Sequence, residues 1–238
     1  MARCWLVDGR CGRIGEPCAS GRCVARAVRR LHERRWRDKL RLFFVEGEDL
    51  VDAALDAGWE PEELLVAGEN VEPRLLAELS TAAHPPRVIA VYRRASLPSW
   101  ERRPLTLALW RVADPGNVGT LIRTADAFGA AVTLSEGCAD PTSPKALRAS
   151  AGSIWRVPLG ACDTVSQARR VALVAHSGEP LPELDLRGEV VFLLGAEREG
   201  LPPDVRRDVA ARIPIESESL NVAAAGAIAL YEWRRQNG

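Results

Sequence analysis

Three short stretches carry residue types able to do chemistry. The first is Asn117-x-Gly119-x-x-x-Arg123, which sets an amide and a guanidinium six residues apart. The second is Gly195-Ala196-Glu197-Arg198-Glu199-Gly200, a carboxylate between two glycines, entered from the apolar run Val190 to Leu194. The third is Ile213-Pro214-Ile215 followed by Glu218-Ser219-Leu220-Asn221-Val222 and an alanine-rich segment. Amide, guanidinium, carboxylate and hydroxyl groups orient a polar substrate and share a proton, and glycines let backbone approach a ligand closely. Each stretch alone has a plainer reading: Asn117 or Ser219 as a helix cap, Gly195 and Gly200 as turn glycines, Arg123 and Glu197 as solvated charges.

The elements that position them follow from periodicity. Leu105, Leu107 and Leu109 predict a strand, ending in the turn Asp114-Pro115-Gly116-Asn117. Leu121, Ile122, Ala125 and Phe128 then form one face of a helix stopped by Gly129. The turn therefore sits at the C-terminal end of a strand, where open α/β sheets place their sites. Further strands are predicted at 131–134, 154–157, 171–175 and 190–194, and helices at 117–128, 143–151, 163–170, 204–209 and 220–235. This alternation implies a mainly parallel sheet with both faces covered, over 105–238.

Upstream, Val24 to Arg41 reads as one amphipathic helix, apolar at Val24, Val28 and Leu31 and basic at Arg26, Arg29, Arg30, Arg34, Arg35 and Arg37. Strands follow at 42–45, 64–66 and 88–91, with helices at 46–57 and 73–80, giving a smaller α/β domain over 24–95. The Pro-containing, charged stretch 96–104 reads as a linker.

Composition narrows the function classes. The 238-residue chain is 47% hydrophobic with no net charge. Residues 1–41 hold eleven arginines and one lysine against four acids, so a basic front balances an acidic remainder. That asymmetry suggests a polyanionic partner, although a solvated helix face reads equally well. No apolar run approaches the ~18 residues of a membrane helix, and Asp8, Arg10 and Arg13 interrupt any secretory core, so a cytoplasmic protein without a membrane partner is expected. Cys4, Cys11, Cys18 and Cys23 are spaced unlike a zinc site, and His32, His84 and His176 stand apart, so no metal is expected. Residues 1–23 read as an irregular extension. Synthesis beginning near Val24 is one reading of it, checked by the intact mass of the native product. No dinucleotide, Walker, zinc-protease or nucleophile-elbow pattern occurs.

In order and spacing, the three stretches together with Ala149 to Leu159 resemble the SpoU/TrmH family of the SPOUT superfamily, RNA ribose 2′-O-methyltransferases. The first domain, with Val45-Glu46-Gly47 after a basic helix, is similar to that family's ribosomal-protein-like substrate-binding domain. The resemblance implies a SPOUT α/β domain with a deep trefoil knot, an exception to the no-knot tendency, preceded by a smaller α/β RNA-binding domain. It implies S-adenosylmethionine as cofactor, bound near Leu194, Gly195, Ile213, Leu220 and Asn221. It further implies Asn117, Arg123, Glu197, Ser219 and Asn221 as acting residues, a homodimer with Asn117 delivered across its interface, and RNA captured by the Arg26–Arg37 set. Ribosomal RNA is the expected substrate, with transfer RNA next. Two positions depart from the family pattern: Ala196, where many members carry Asn, and Ala223, where Ser is usual. An inactive RNA-binding protein on the same scaffold, and an enzyme methylating a base nitrogen, are the rival readings.

Overall fold

The computed structural model describes residues 21–164 and 168–238. Expectations for residues 1–20, including Cys4, Cys11 and Cys18, lie outside the described residues. The chain divides into two compact units: one ends at Ser96 and adds Thr142–Arg148, and the other comprises Leu97–Pro141 and Ala149–Gly238.

The first unit opens with two helices, α1 (Gly21–Leu31) and α2 (Arg34–Leu40). The predicted helix over 24–41 is thus broken at His32-Glu33, and it starts earlier, taking in Gly21 to Cys23. The cause of the break is Arg37. This side chain is only 3% exposed, and its Nη1 donates to the carbonyls of Leu31 at 2.7 Å and His32 at 2.9 Å. The orphan carbonyls at the end of α1 thus find their donor in a side chain instead of a continuing helix. After Arg41, in the left-handed region at φ 56°, comes β1 (Leu42–Glu46). Then come α3 (Glu48–Asp56), β2 (Glu63–Val66), α4 (Pro73–Leu79) and β3 (Val88–Arg93). The three strands form an antiparallel sheet in the order β1-β3-β2. Val28 and Leu31 of α1 and Leu76 and Leu79 of α4 pack on Phe44, Leu65, Ile89 and Val91. His32 is spoken for: Nε2 meets the Leu79 carbonyl at 2.9 Å, and the ring stacks on Phe44.

Glu46 is a second buried charge of this unit, besides Arg37. Its side chain is 2% exposed and accepts from Thr81 N and Oγ1, both at 2.6 Å, and from Arg148 Nη1 at 2.6 Å. A buried carboxylate persists only when so paired.

The second unit contains β4 (Leu105–Leu109), α5 (Pro115–Ala127) and β5 (Ala131–Leu134); α6 (Pro144–Ser150), which up to Arg148 belongs to the first unit, follows in the chain. Next come β6 (Leu159–Ala161), β7 (Arg169–Leu173), β8 (Glu179–Pro180), β9 (Val190–Leu194), β10 (Val209–Arg212) and α7 (Val222–Asn237). The sheet is parallel at every pairing, in the order β6-β5-β4-β9-β7-β10-β8. Leu107 and Leu194 lie beneath α7 at Gly226, where an added Cβ would sit 2.4 Å from Leu121 of α5. Ala108, Val191 and Leu193 alternate to the other side and pack with Ala172 and Val205.

Three sequence expectations fail here. The strand predicted at 154–157 is a 3-10 turn (Ser153–Trp155) packed against α5, with the strand itself at Leu159–Ala161. The helix predicted at 204–209 is absent, and its last residue starts β10, a strand between β7 and β8. The helix predicted at 163–170 reduces to a 3-10 turn (Cys162–Thr164) and the start of β7, with 165–167 outside the described residues.

Candidate active site

Because strand order reverses across β4, β9 and β7, the loops leaving their C-terminal ends diverge and leave a crevice, the usual ligand position in such sheets. A cavity of about 350 Å³ occupies it. That is within the ~300–1,000 Å³ range of small-molecule sites. Leu173 to Ala175 at the end of β7, Leu194 to Leu201 at the end of β9, Ile213 and Ile215 beyond β10, and Ser219, Leu220, Val222 and Ala225 at the start of α7 line it.

The loop after β9 folds back tightly. Ala196 N donates to Gly200 O at 3.2 Å and Gly200 N to Ala196 O at 2.9 Å. Gly195 allows this: a Cβ there would lie 2.2 Å from the Gly200 carbonyl carbon and 2.4 Å from Leu201 N. Gly200 takes φ +67°, the region glycine enters without cost. The result is a carboxylate-bearing wall, with Glu197 and Glu199 at the cavity.

Asn117, Glu197 and Asn221, up to 104 residues apart in sequence, form one hydrogen-bonded chain. Asn221 Nδ2 donates to Asn117 Oδ1 at 3.0 Å, and Asn117 Nδ2 donates to Glu197 Oε1 at 2.7 Å. Asn117 meets partners of its own chain here. It does not cap its helix: that role falls to Asp114, whose Oδ1 accepts from Gly116 N at 2.5 Å and Asn117 N at 3.2 Å. Nor does Ser219 cap the last helix. Asn221 does, accepting from Ala223 N at 2.8 Å and Ala224 N at 3.4 Å. One amide thus serves both the helix, through its oxygen, and the site, through its nitrogen.

Of the expected cofactor residues, Leu194, Gly195, Ile213 and Leu220 line the cavity, as do Glu197 and Ser219, while Asn221 joins through Asn117. Arg123 stands apart, exposed on α5 and outside the cavity lining. Leu173, Val174 and Ala175, which carry no polar side chain, also line the cavity. Their position after a strand neighbouring β9 is the only signal that marks them.

The basic set is divided. Arg26, Arg29, Arg34 and Arg35 are exposed and Arg30 half-buried. Arg29 pairs with Glu78 at 3.3 Å and Arg35 with Glu33 at 2.7 Å. Arg37 is withdrawn from any surface role by its buried carbonyl contacts. Among the described residues, no cluster of His, Cys, Asp or Glu has the arrangement of a metal site, and no helix is long and apolar enough to cross a membrane.

A chain that follows a basic-helix unit with a cavity-bearing parallel sheet has its known relatives among the methyltransferases. The chain is a member of the SpoU rRNA Methylase family, whose model matches residues 104–231. Residues 25–95 match the MRM3-like substrate binding domain. The chain is 30% identical to an uncharacterized tRNA/rRNA methyltransferase of Synechocystis, over 90% of this chain and 91% of that protein. It is likewise 30% identical to the 23S rRNA (guanosine(2553)-2′-O)-methyltransferase RlmP of Bacillus subtilis, over 87% of this chain and 94% of the relative. The AdoMet-bound rRNA methyltransferase of Sinorhizobium meliloti superposes with a TM-score of 0.79 at 30% identity, covering 89% of this chain and 94% of that one.

Proposed function

We propose that this protein transfers a methyl group from S-adenosylmethionine to a ribose 2′-hydroxyl of ribosomal RNA. The observation that carries the proposal is the cavity at the ends of β7, β9 and β10 with the Asn221–Asn117–Glu197 chain at its rim. The cavity suits the donor: apolar walls from Leu194, Ile213 and Leu220 for a purine, close backbone from Gly195, and the Glu197 and Glu199 carboxylates for a cationic centre.

When bound, the cofactor supplies an electrophilic methyl on a sulfonium. The residues of this chain do the rest. Asn221, held by its capping bonds, orients Asn117, and Asn117 orients Glu197. Glu197 then faces the incoming hydroxyl as proton acceptor, a role shared with the adjacent RNA phosphate. A guanidinium is a planar fork of donors with no acceptor, so Arg123 clamps that phosphate and aligns the hydroxyl for in-line attack. Ser219 and Leu220 shape the pocket mouth. The functional protein is a homodimer, the fold carries a trefoil knot, and the first domain captures RNA through Arg26, Arg29, Arg30, Arg34 and Arg35. The placement of β9 and β10 between strands that precede them in the chain supports the knot.

The test is incubation of the full chain with radiolabelled S-adenosylmethionine and unmodified ribosomal RNA, then alkaline hydrolysis. Label retained in an alkali-resistant dinucleotide is the expected result. Label released as an ordinary mononucleotide would mean base methylation, and label accepted only by transfer RNA would reassign the substrate.

A further inference from the structure

Arg111 lies two residues beyond the end of β4 and shortly before the turn that carries Asn117. Its φ is 55°, in the left-handed region. A residue with a Cβ enters that region at a cost, and arginine lacks the short polar side chain that eases it for asparagine or aspartate. The backbone is nonetheless pinned there from both sides. Trp110 N donates to Leu194 O at 2.8 Å, and Ala139 N donates to Val112 O at 2.9 Å. Arg111 N itself donates to Ser135 Oγ at 3.0 Å. Gly137 makes room for the side chain, since a Cβ at that position would lie 3.2 Å from Arg111 Cγ. Backbone strain held this firmly next to a site is a pointer to function.

The guanidinium so placed stands at the cavity wall, with Nη1 3.9 Å from Glu199 Oε2. That separation is longer than a hydrogen bond, and the two side chains are 59% and 75% exposed. An ion pair of this kind contributes little, so it does not account for the strain. Among the described residues, the Arg111 guanidinium makes no hydrogen bond. Arg111 is also outside the cavity lining, whereas Glu197 and Glu199 are part of it. A ligand that fits inside the cavity has no need of Arg111. A polyanion that must bring a hydroxyl up to Glu197 meets two carboxylates there, and it gains from a cation beside them. The planar fork of a guanidinium matches a phosphate.

We infer that Arg111 binds a backbone phosphate of the RNA next to the target nucleotide, and so sets RNA affinity at the cavity mouth. This rests on the reading of the protein as an RNA methyltransferase, and deepens it by naming a residue of the catalytic domain that holds the substrate. The phosphate takes the place of Glu199 beside the guanidinium.

The test compares wild type, Arg111→Asn and Arg111→Lys as full chains. Methyl transfer to ribosomal RNA is measured at several salt concentrations, RNA binding by titration of fluorescently labelled ribosomal RNA, S-adenosylmethionine binding by calorimetry, and Tm by melting. Arg111→Asn should raise the KM for RNA about tenfold, one charge-assisted contact's worth. Its affinity should depend on salt less steeply, by about one phosphate contact. The kcat at saturating RNA and the S-adenosylmethionine affinity should stay within about twofold. Tm should hold or rise by about 2–4 °C, because asparagine enters the left-handed region more readily. Arg111→Lys should restore most of the salt dependence. An unchanged KM and salt dependence in Arg111→Asn overturns the inference. So does a fall in Tm together with S-adenosylmethionine and RNA affinity, the pattern of a structural residue, and so does a loss confined to S-adenosylmethionine, the pattern of a cofactor contact. Wild type that methylates while Arg111→Asn matches it removes this contact alone. RNA binding that depends on Arg111 without any methyl transfer removes the enzymatic reading and leaves the contact. Wild type that neither binds nor methylates RNA removes both.

Discussion

Replacing Gly195 by alanine tests whether the cavity beside β9 is the functional one. The added Cβ would lie 2.2 Å from the Gly200 carbonyl carbon, about 1.2 Å short of the 3.4 Å at which ordinary contact begins. The obstructing atoms are backbone, so no side chain can swing away. The Ala196–Gly200 loop must retreat by about that distance, straining its two backbone hydrogen bonds and carrying Glu197 away from Asn117. A displacement of about 1 Å at a reacting centre costs on the order of 100-fold in rate. Overpacking of this kind costs about 1–3 kcal/mol in stability, and each kcal/mol lowers Tm by about 2–4 °C at this size. The expectation is a folded Gly195→Ala protein with S-adenosylmethionine affinity reduced at least about tenfold by calorimetry and methyl transfer reduced about 100-fold. A variant that melts near wild type and binds and methylates within twofold of it refutes the assignment of the cavity.

Other perturbations separate structure from chemistry. Asn221→Asp keeps the oxygen that caps α7 but loses the donor to Asn117. It should therefore hold its Tm while methyl transfer falls about five- to tenfold, one hydrogen bond's worth. Asn221→Ala should in addition lose about 1 kcal/mol of cap, read as a Tm drop of about 2–4 °C, and full activity in Asn221→Asp would sink the relay. Arg37→Met should cost about 2–4 kcal/mol by stranding the Leu31 and His32 carbonyls. Its RNA affinity should keep the wild-type salt dependence, whereas Arg26→Gln should flatten that dependence by about one phosphate contact without moving Tm. Burial pushes the Cys162 thiol up to about 11, against an opposing hydrogen bond to Thr133, and burial plus the charge of Glu60 pushes Tyr92 up to about 12. The unfolded chain releases these protons first, so stability is fully present below about pH 8.5 and falls as pH rises toward 11–12. Urea midpoints measured across that range should decline, less steeply in Cys162→Ala, and a flat profile would contradict the placement of Tyr92 in the core and of Cys162 partly inside it.

Much of the architecture can be read from side-chain periodicity, and the failures share a cause. Leu105 to Leu109, Ala131 to Leu134 and Val190 to Leu194 are apolar runs between turn residues, and each is a strand of the parallel sheet. Ile154 and Trp155 are equally apolar, yet they are a buried turn against α5, because a short apolar run does not distinguish the two. Val209 to Arg212, rich in alanine, favours a helix locally, and only its place between β7 and β8 makes it a strand. The break at His32-Glu33 is invisible because the helical pattern of arginines continues through it; a single arginine turning inward decides the matter. The chemical residues are legible as types, but Asn117, Glu197 and Asn221 touch only because three segments meet at one sheet edge.

The heptapeptide Thr142–Arg148 belongs to the unit whose main part ends at Ser96, so the polypeptide leaves and re-enters that unit before finishing the other. A gene encoding such a protein has no single splice point at which one body can be exchanged for another. A transplanted front half would arrive without the guanidinium that neutralises its own interior carboxylate, Glu46.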